Sequence, residues 1–201
     1  AAFLQKLFTR NVKKLKVGRA VYALACNHQG GVLMDGVLMR PNDQEFIYVQ
    51  GNGDFLNWAN ANLGALDASI SDFNSWVLQV QGPTALDLMT AVTGIDQAEF
   101  SYYAVTEAKI NGLACYISRS GWTGERGFEI YSKDDDFDGV ALWQYLLRDH
   151  RAQAITLFGL KHCEIIGQEP FVVRTSHYAR QDSALKFDDL HPEASRVACL
   201  H

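Results

Sequence analysis

Ser118-Arg119-Ser120-Gly121-Trp122-Thr123-Gly124-Glu125-Arg126-Gly127-Phe128-Glu129-Ile130-Tyr131 is the stretch around which the rest of the chain is arranged. Leu113-Ala114-Cys115-Tyr116-Ile117 leads in as an apolar run, and Phe128 to Tyr131 leads out with apolar and polar residues alternating. Both flanks therefore predict strands. Between them Gly121, Gly124 and Gly127 recur every third residue, which suits a loop that takes positive φ and lets a ligand approach the backbone closely. Trp122 and Glu129 flank that loop with one aromatic face and one carboxylate, a pair able to hold a flat, hydrogen-bonding heterocycle.

Upstream, Trp76 to Gln81 predicts a strand, and Gly82-Pro83 opens a helix whose stripe is Leu86, Met89 and Val92. Asn111-Gly112 predicts a tight hairpin turn just before the apolar lead-in. Downstream, Asp134, Asp135 and Asp136 precede a helix through Val140, Trp143, Leu146 and Leu147 that closes with Arg148 and Arg151. Acid at its start and base at its end complement the helix dipole and need no functional explanation.

Towards the N-terminus, Ala1 to Leu15 shows a helical face of Phe3, Leu4, Leu7 and Phe8. A helix with nothing in front of it suggests a fragment of a longer protein. Arg19 to Cys26, Val32 to Met39 and Glu45 to Gln50 predict three strands, separated by turns at Asn27-His28-Gln29-Gly30-Gly31 and Pro41-Asn42-Asp43. Asp35 is a lone carboxylate among Val32, Leu33, Met34, Val37 and Leu38. An acid so placed is hydrogen-bonded, has a raised pKa or faces a cavity, unless it points to water from an edge strand. Gly51-Asn52-Gly53-Asp54 then opens a helix carrying Phe55, Trp58, Leu63 and Leu66. The strand, GxG, helix order imitates a dinucleotide fingerprint, but Leu56 stands where the third glycine belongs, so a capped turn is the better reading.

A chain of 201 residues, 48% hydrophobic and 20% charged, can bury one large core or two small ones. A net charge of -5 and a pI near 5.6 argue against nucleic acid or an anionic membrane as partner, and the basic cluster Lys13, Lys14, Lys16 and Arg19 reads as a solvated helix end. Cys26, Cys115, Cys163 and Cys199 form no CxxC pair, so they read as reduced thiols of a cytoplasmic compartment. Neither Cys26-Asn27-His28 nor His162-Cys163 completes a metal site. No apolar run reaches the roughly 18 residues of a membrane span.

The two halves repeat each other faintly. Leu4 and Leu7 correspond to Leu86 and Met89, and Phe46-Ile47-Tyr48 to Phe128-Glu129-Ile130. The expected fold is α+β, with two related units of helix plus antiparallel sheet packed as a pair. A ligand site between them would draw Asp35 from one half and Glu129 from the other.

Three motifs occur in one order: Tyr22 to Asp35, Leu78-Gln79-Val80-Gln81-Gly82-Pro83, and Ser120 to Ile130. Together they resemble the folate-binding domain of the glycine-cleavage T-protein family, the aminomethyltransferases and their methyl-transferring relatives. The resemblance covers roughly residues 1–150. It implies that the family's usual N-terminal strand segment and C-terminal barrel are missing, and that residues 151–201 form a divergent or truncated tail.

What the resemblance implies follows position by position. Asp35 matches the catalytic aspartate beside the reactive nitrogens of tetrahydrofolate, and Glu129 the acid that hydrogen-bonds the pterin. Tyr22 and Trp122 fall where the family packs aromatic rings on the cofactor, with Trp122 in place of a more usual Tyr. Gln50 stands where the family often has Asn, and no arginine follows Gly159-Leu160 near Cys163, where the family has one. The implied activity is tetrahydrofolate-dependent one-carbon transfer from a small-molecule donor or a lipoyl carrier protein, with a demethylase of the same family as one alternative. A second alternative rests on Lys161-His162-Cys163 before Gly167-Gln168-Glu169, which is similar to a signature of YgfZ-type scaffold proteins in iron–sulfur cluster assembly. Oligomeric state is not readable from the sequence.

Overall fold

The computed structural model describes residues 1–50, 53–73, 75–121, 124–133, 137–149, 153–154 and 172–176. It is an α+β protein that divides into two compact units, Ala1–Asn74 and Ser75–His201.

The first unit runs α1 (Leu4–Leu7), a 3-10 turn (Val12–Lys14), β1 (Arg19–Cys26), β2 (Val32–Arg40), β3 (Ile47–Gln50) and α2 (Phe55–Leu63). The three strands form an antiparallel meander in the order β1-β2-β3. Asn27 shapes its first turn: Oδ1 accepts hydrogen bonds from Gln29 N at 3.0 Å and Gly31 N at 2.8 Å, and Gly30 takes φ +82°. One sheet face sends Ala23, Ala25 and Leu38 into a core with Phe3, Leu7, Phe8, Val12, Phe55 and Ala59. Phe8, Tyr48 and Phe55 form a ring cluster there, with centroids 4.6–5.6 Å apart.

The helix expected over residues 1–15 is present only as α1. Phe8 bridges Ala25, and Thr9 N donates to Leu24 O at 3.0 Å, so the chain leaves the helix to run beside β1. Phe3, Leu7, Phe8 and Val12 are all buried even so. The apolar pattern recorded which side chains go inside, and tertiary pairing decided the backbone.

The second unit runs β4 (Val77–Gln81), α3 (Ala85–Thr93), a 3-10 turn (Gln97–Glu99), β5 (Val105–Ile110), β6 (Leu113–Ser118), β7 (Gly127–Ser132), α4 (Gly139–Gln144) with a π turn over Tyr145–Asp149, β8 (Gln153–Ala154) and β9 (Val172–Ser176). The sheet order is β5-β6-β7-β4-β9-β8, antiparallel except for the β8–β9 pair. Asn111 and Gly112, at φ +50° and +81°, make the β5–β6 hairpin turn as expected. Leu78, Val80, Ile117, Phe128 and Ile130 face a core closed by Leu88 and Met89 of α3 and Leu142 and Trp143 of α4. Asp138 caps α4 by accepting from Ala141 N at 2.8 Å. Asp134 to Asp136, expected to precede this helix, lie outside the described residues.

Two strands come from the tail expected beyond residue 150, and β9 pairs with β4 along its full length, Val77↔Ser176 to Gln81↔Val172. No described helix is long and apolar enough to cross a membrane.

Candidate functional site

Asp35 lies on β2, the middle strand of its sheet, and is exposed. It is therefore not an edge-strand acid. The β1–β2 register sets Tyr22 opposite Val37 and Leu24 opposite Asp35, so Tyr22 and Asp35 are diagonal neighbours on one face. That spacing lets the Tyr22 hydroxyl donate a short hydrogen bond to Asp35 Oδ2. The bond holds the Tyr22 phenol above its ordinary pKa, with a smaller push in the same direction from burial and from the Asp35 charge. Among the described residues no hydrogen bond is recorded to Asp35 Oδ1. Tyr22 keeps 37% of its surface exposed, and Val32 and Leu33 at the start of β2 stay open at 63% and 39%. A carboxylate with one oxygen fixed thus sits beside accessible aromatic and apolar surface.

Tyr48 supports this group from below and was not singled out from the sequence. Its ring lies near Gly36, where a Cβ would come within 3.1 Å of Tyr48 Cε2 and 2.1 Å of Val49 O. Its hydroxyl donates to Ala23 O at 3.1 Å. Burial first, then the charges of Asp35 and Tyr22, raise the Tyr48 phenol well above its ordinary pKa. Gln50, opposite Gly36, holds a buried Oε1 with no hydrogen-bond partner among the described residues.

Glu129 lies in the second unit on β7, paired between Gln79 of β4 and Ser118 of β6. It is half-buried, and three neutral groups donate to it. Gln79 Nε2 reaches Oε1 at 3.1 Å, while Ser120 Oγ and the Tyr131 hydroxyl reach Oε2 at 2.5 and 3.0 Å. Ser118 Oγ lies 2.8 Å behind Ser120 Oγ. Gln79, Gln81, Ser118 and Ser120 are all buried, so this face of the sheet is a polar interior opposite the apolar one. Hydrogen bonds from three neutral donors fix the orientation of the carboxylate.

The glycines of the opening stretch have a different role from the one expected. A Cβ at Gly121 or Gly127 would come within 2.5 Å of the Gln81 side chain. Gly82 N also donates to Arg126 O at 2.9 Å. The missing side chains admit Gln81, which pins the loop to β4, and Gly124 alone of the three takes positive φ, +80°. Of the residues assigned from sequence, Asp35 and Tyr22 are in contact and Glu129 anchors its own network. Trp122, Cys163 and the segment around Gly167 lie outside the described residues. Gln79, Ser120 and Tyr131 were missed; the signal for the first is two glutamines at alternate positions of an otherwise apolar strand, Val77 to Gln81.

No group of His, Cys, Asp and Glu among the described residues could hold a metal. Among the described residues neither Cys26 nor Cys115 is in a disulfide, and the Cys115 thiol donates to Leu113 O at 3.4 Å.

Residues 1–182 match the family described as the GCVT N-terminal domain. The chain is 36% identical over 167 residues to an aminomethyltransferase of Alkaliphilus oremlandii (strain OhILAs), covering 79% of this chain and 44% of that one. It is 32% identical over 164 residues to an aminomethyltransferase of Thermoanaerobacter pseudethanolicus, with the same coverage. The chain thus spans under half the length of these curated relatives. Among solved structures it is similar to the glycine cleavage system aminomethyltransferase T from Bartonella henselae, with a TM-score of 0.65 and 26% identity over 76% of this chain and 41% of that one. The chain belongs to the GCVT N-terminal domain family, that of the glycine-cleavage T-proteins.

Proposed function

We propose that the chain is the tetrahydrofolate-binding part of an aminomethyltransferase of the glycine-cleavage type, working in the cytoplasm with a lipoyl carrier protein as the one-carbon donor. The observation that carries this reading is the Tyr22–Asp35 pair: an exposed carboxylate, oriented by one hydroxyl, between the apolar runs Val32–Met34 and Val37–Met39 of β2. The names of the relatives favour an aminomethyl over a methyl donor.

The residues suit the cofactor. Its pterin edge carries adjacent N–H donors, and the half-buried Glu129 carboxylate, together with Gln79 Oε1, which has no hydrogen-bond partner among the described residues, offers acceptors for them. Tyr22 gives an accessible ring for stacking, and Trp122 is retained as its second aromatic. When bound, tetrahydrofolate supplies the nitrogens that take up the one-carbon unit. Asp35 is the general base: with Oδ2 held by Tyr22, Oδ1 can accept a proton from a donor in hydrogen-bond reach. Tyr22 fixes the rotamer of that acid, and Glu129 contributes position rather than chemistry.

Calorimetry with tetrahydrofolate tests the binding half. Saturable binding that weakens by about 1–3 kcal/mol in Glu129→Ala is expected; no binding by well-folded native chain sinks the reading. Asp35→Asn tests the catalytic half, with turnover lost and binding kept. Native chain that binds tetrahydrofolate yet turns over no aminomethylated lipoyl carrier would reduce the assignment to a folate-holding protein.

A further inference from the structure

Gln79 is 6% exposed and donates through Nε2 to Glu129 Oε1 at 3.1 Å, while its own Oε1 is buried with no hydrogen-bond partner among the described residues. A buried amide oxygen left without a donor is costly, and a strand position facing a polar interior can instead direct it at a ligand. The opposite amide orientation would set Oε1 against the carboxylate, so the bond to Glu129 fixes which end is left over. The Glu129 carboxylate already takes donors from Gln79, Ser120 and Tyr131. Gln79 and Glu129 are directly paired across β4 and β7, and the Nε2 bond keeps the Gln79 amide, Oε1 included, next to the carboxylate. Two adjacent acceptors on a fixed frame match a ligand edge with two adjacent N–H donors, as in a 2-amino-4-oxopyrimidine ring.

We propose that Gln79 is a specificity-determining residue of the Glu129 site: it holds the carboxylate with its NH2 group and accepts a ligand N–H at Oε1. The inference rests on the tetrahydrofolate reading above and adds to it the residue that selects the 2-amino group. No covalent step is involved. Neighbouring Gln81 cannot take this part, because its side chain is packed against Gly121 and Gly127.

The test compares calorimetric affinities of the full chain for tetrahydrofolate and for the analogue whose 2-amino group is replaced by methyl. Native chain is expected to prefer tetrahydrofolate by about tenfold or more, the effect of one or two lost bonds to buried acceptors. Gln79→Met, which keeps the length and removes both polar atoms, should weaken tetrahydrofolate binding and shrink that preference to about twofold. Gln79→Glu keeps an acceptor at the Oε1 position and sets a second carboxyl group against Glu129, so that the pair shares one proton in place of the amide bond. It should bind more weakly yet retain the preference, and it decides the question if Gln79→Met does not fold. Preference unchanged in Gln79→Met, or lost in Gln79→Glu, overturns the role of Gln79. Absence of any tetrahydrofolate binding by native chain overturns the parent reading as well. Binding that weakens in Glu129→Ala but not in Gln79→Met leaves the parent reading intact and removes only this one.

Discussion

Tyr22 and Asp35 illustrate how one hydrogen bond links two residues thirteen positions apart through strand register. Because the bond to Asp35 is the main cause of the raised Tyr22 pKa, Asp35→Asn should bring the phenol down towards the ordinary value of about 10. An absorbance titration of tyrosinate, compared with Tyr22→Phe to isolate the band, checks this; an unmoved titration would mean that the pair does not exist in solution. Tyr48 gives a second prediction, with a definite sign. Its folded-state pKa lies above the unfolded value, so its contribution is fully present below about pH 10 and falls away as the pH rises, when only the unfolded chain ionises freely. Tyr48→Phe should cost about 0.5–1.5 kcal/mol near neutrality, from the lost bond to Ala23 O. It should also make the alkaline decline in the urea midpoint shallower, the reverse of a purely structural loss. The anomaly of Asp35 was legible in the sequence, since a carboxylate in an apolar strand demands a reason. Its partner was not, because register is set by pairing across the sheet and not by neighbours along the chain.

At the level of elements, β2 depends on one absent side chain. A Cβ on Gly36 would stand 2.1 Å from Val49 O, a backbone atom that cannot move aside without disturbing the β2–β3 ladder. Gly36→Ala should destabilise the chain by about 2 kcal/mol or more, with faster hydrogen exchange first in Ile47–Gln50; unchanged exchange there would show that the strand relaxes freely. Gly127→Ala would meet only the end of the Gln81 side chain, which can shift, so it should cost less than Gly36→Ala and loosen the packing of Gln81 against the glycine loop. The bounds of β1 and the hairpin at Asn111-Gly112 were readable because apolar run and turn chemistry agreed with the final pairing. The N-terminal helix was overestimated because Phe3, Leu7, Phe8 and Val12 keep helical spacing although Phe8 and Thr9 bond to β1. β9 escaped notice because a strand of Val172–Ser176 inside a polar run carries too short a signal, and only its pairing with β4 defines it.

Across the whole molecule, the two units share an order of elements that the faint sequence repeat foreshadowed. α1, a 3-10 turn, β1, β2, β3 and α2 are followed by α3, a 3-10 turn, β5, β6, β7 and α4 in the same sequence, with β4, β9 and β8 extending the second sheet. Each unit buries its own apolar cluster, around Leu38 and Phe55 in one and around Val80, Leu88 and Phe128 in the other. That independence was visible as two sets of periodic apolar residues, whereas the position of the boundary was not, since no proline- or glycine-rich linker marks it. Leu63 ends α2, Gly64 takes φ +61°, and residues 64–73 then form no helix or strand, with Asp67, Ala68, Ser69, Ser71 and Asp72 exposed. Leu66 and Ile70 pack on the core of the first unit, but a segment outside helix and strand whose side chains are mostly exposed opens locally at lower free-energy cost than a paired strand. Limited proteolysis with an enzyme of broad specificity should therefore cut first within residues 64–73, yielding an N-terminal piece that retains β1 to α2 and a C-terminal piece that begins shortly before β4. Mass spectrometry of the earliest fragments locates the cut. First cleavage inside β2 or β7 would contradict two independently buried cores, because strands paired on both sides open only when the core beneath them does.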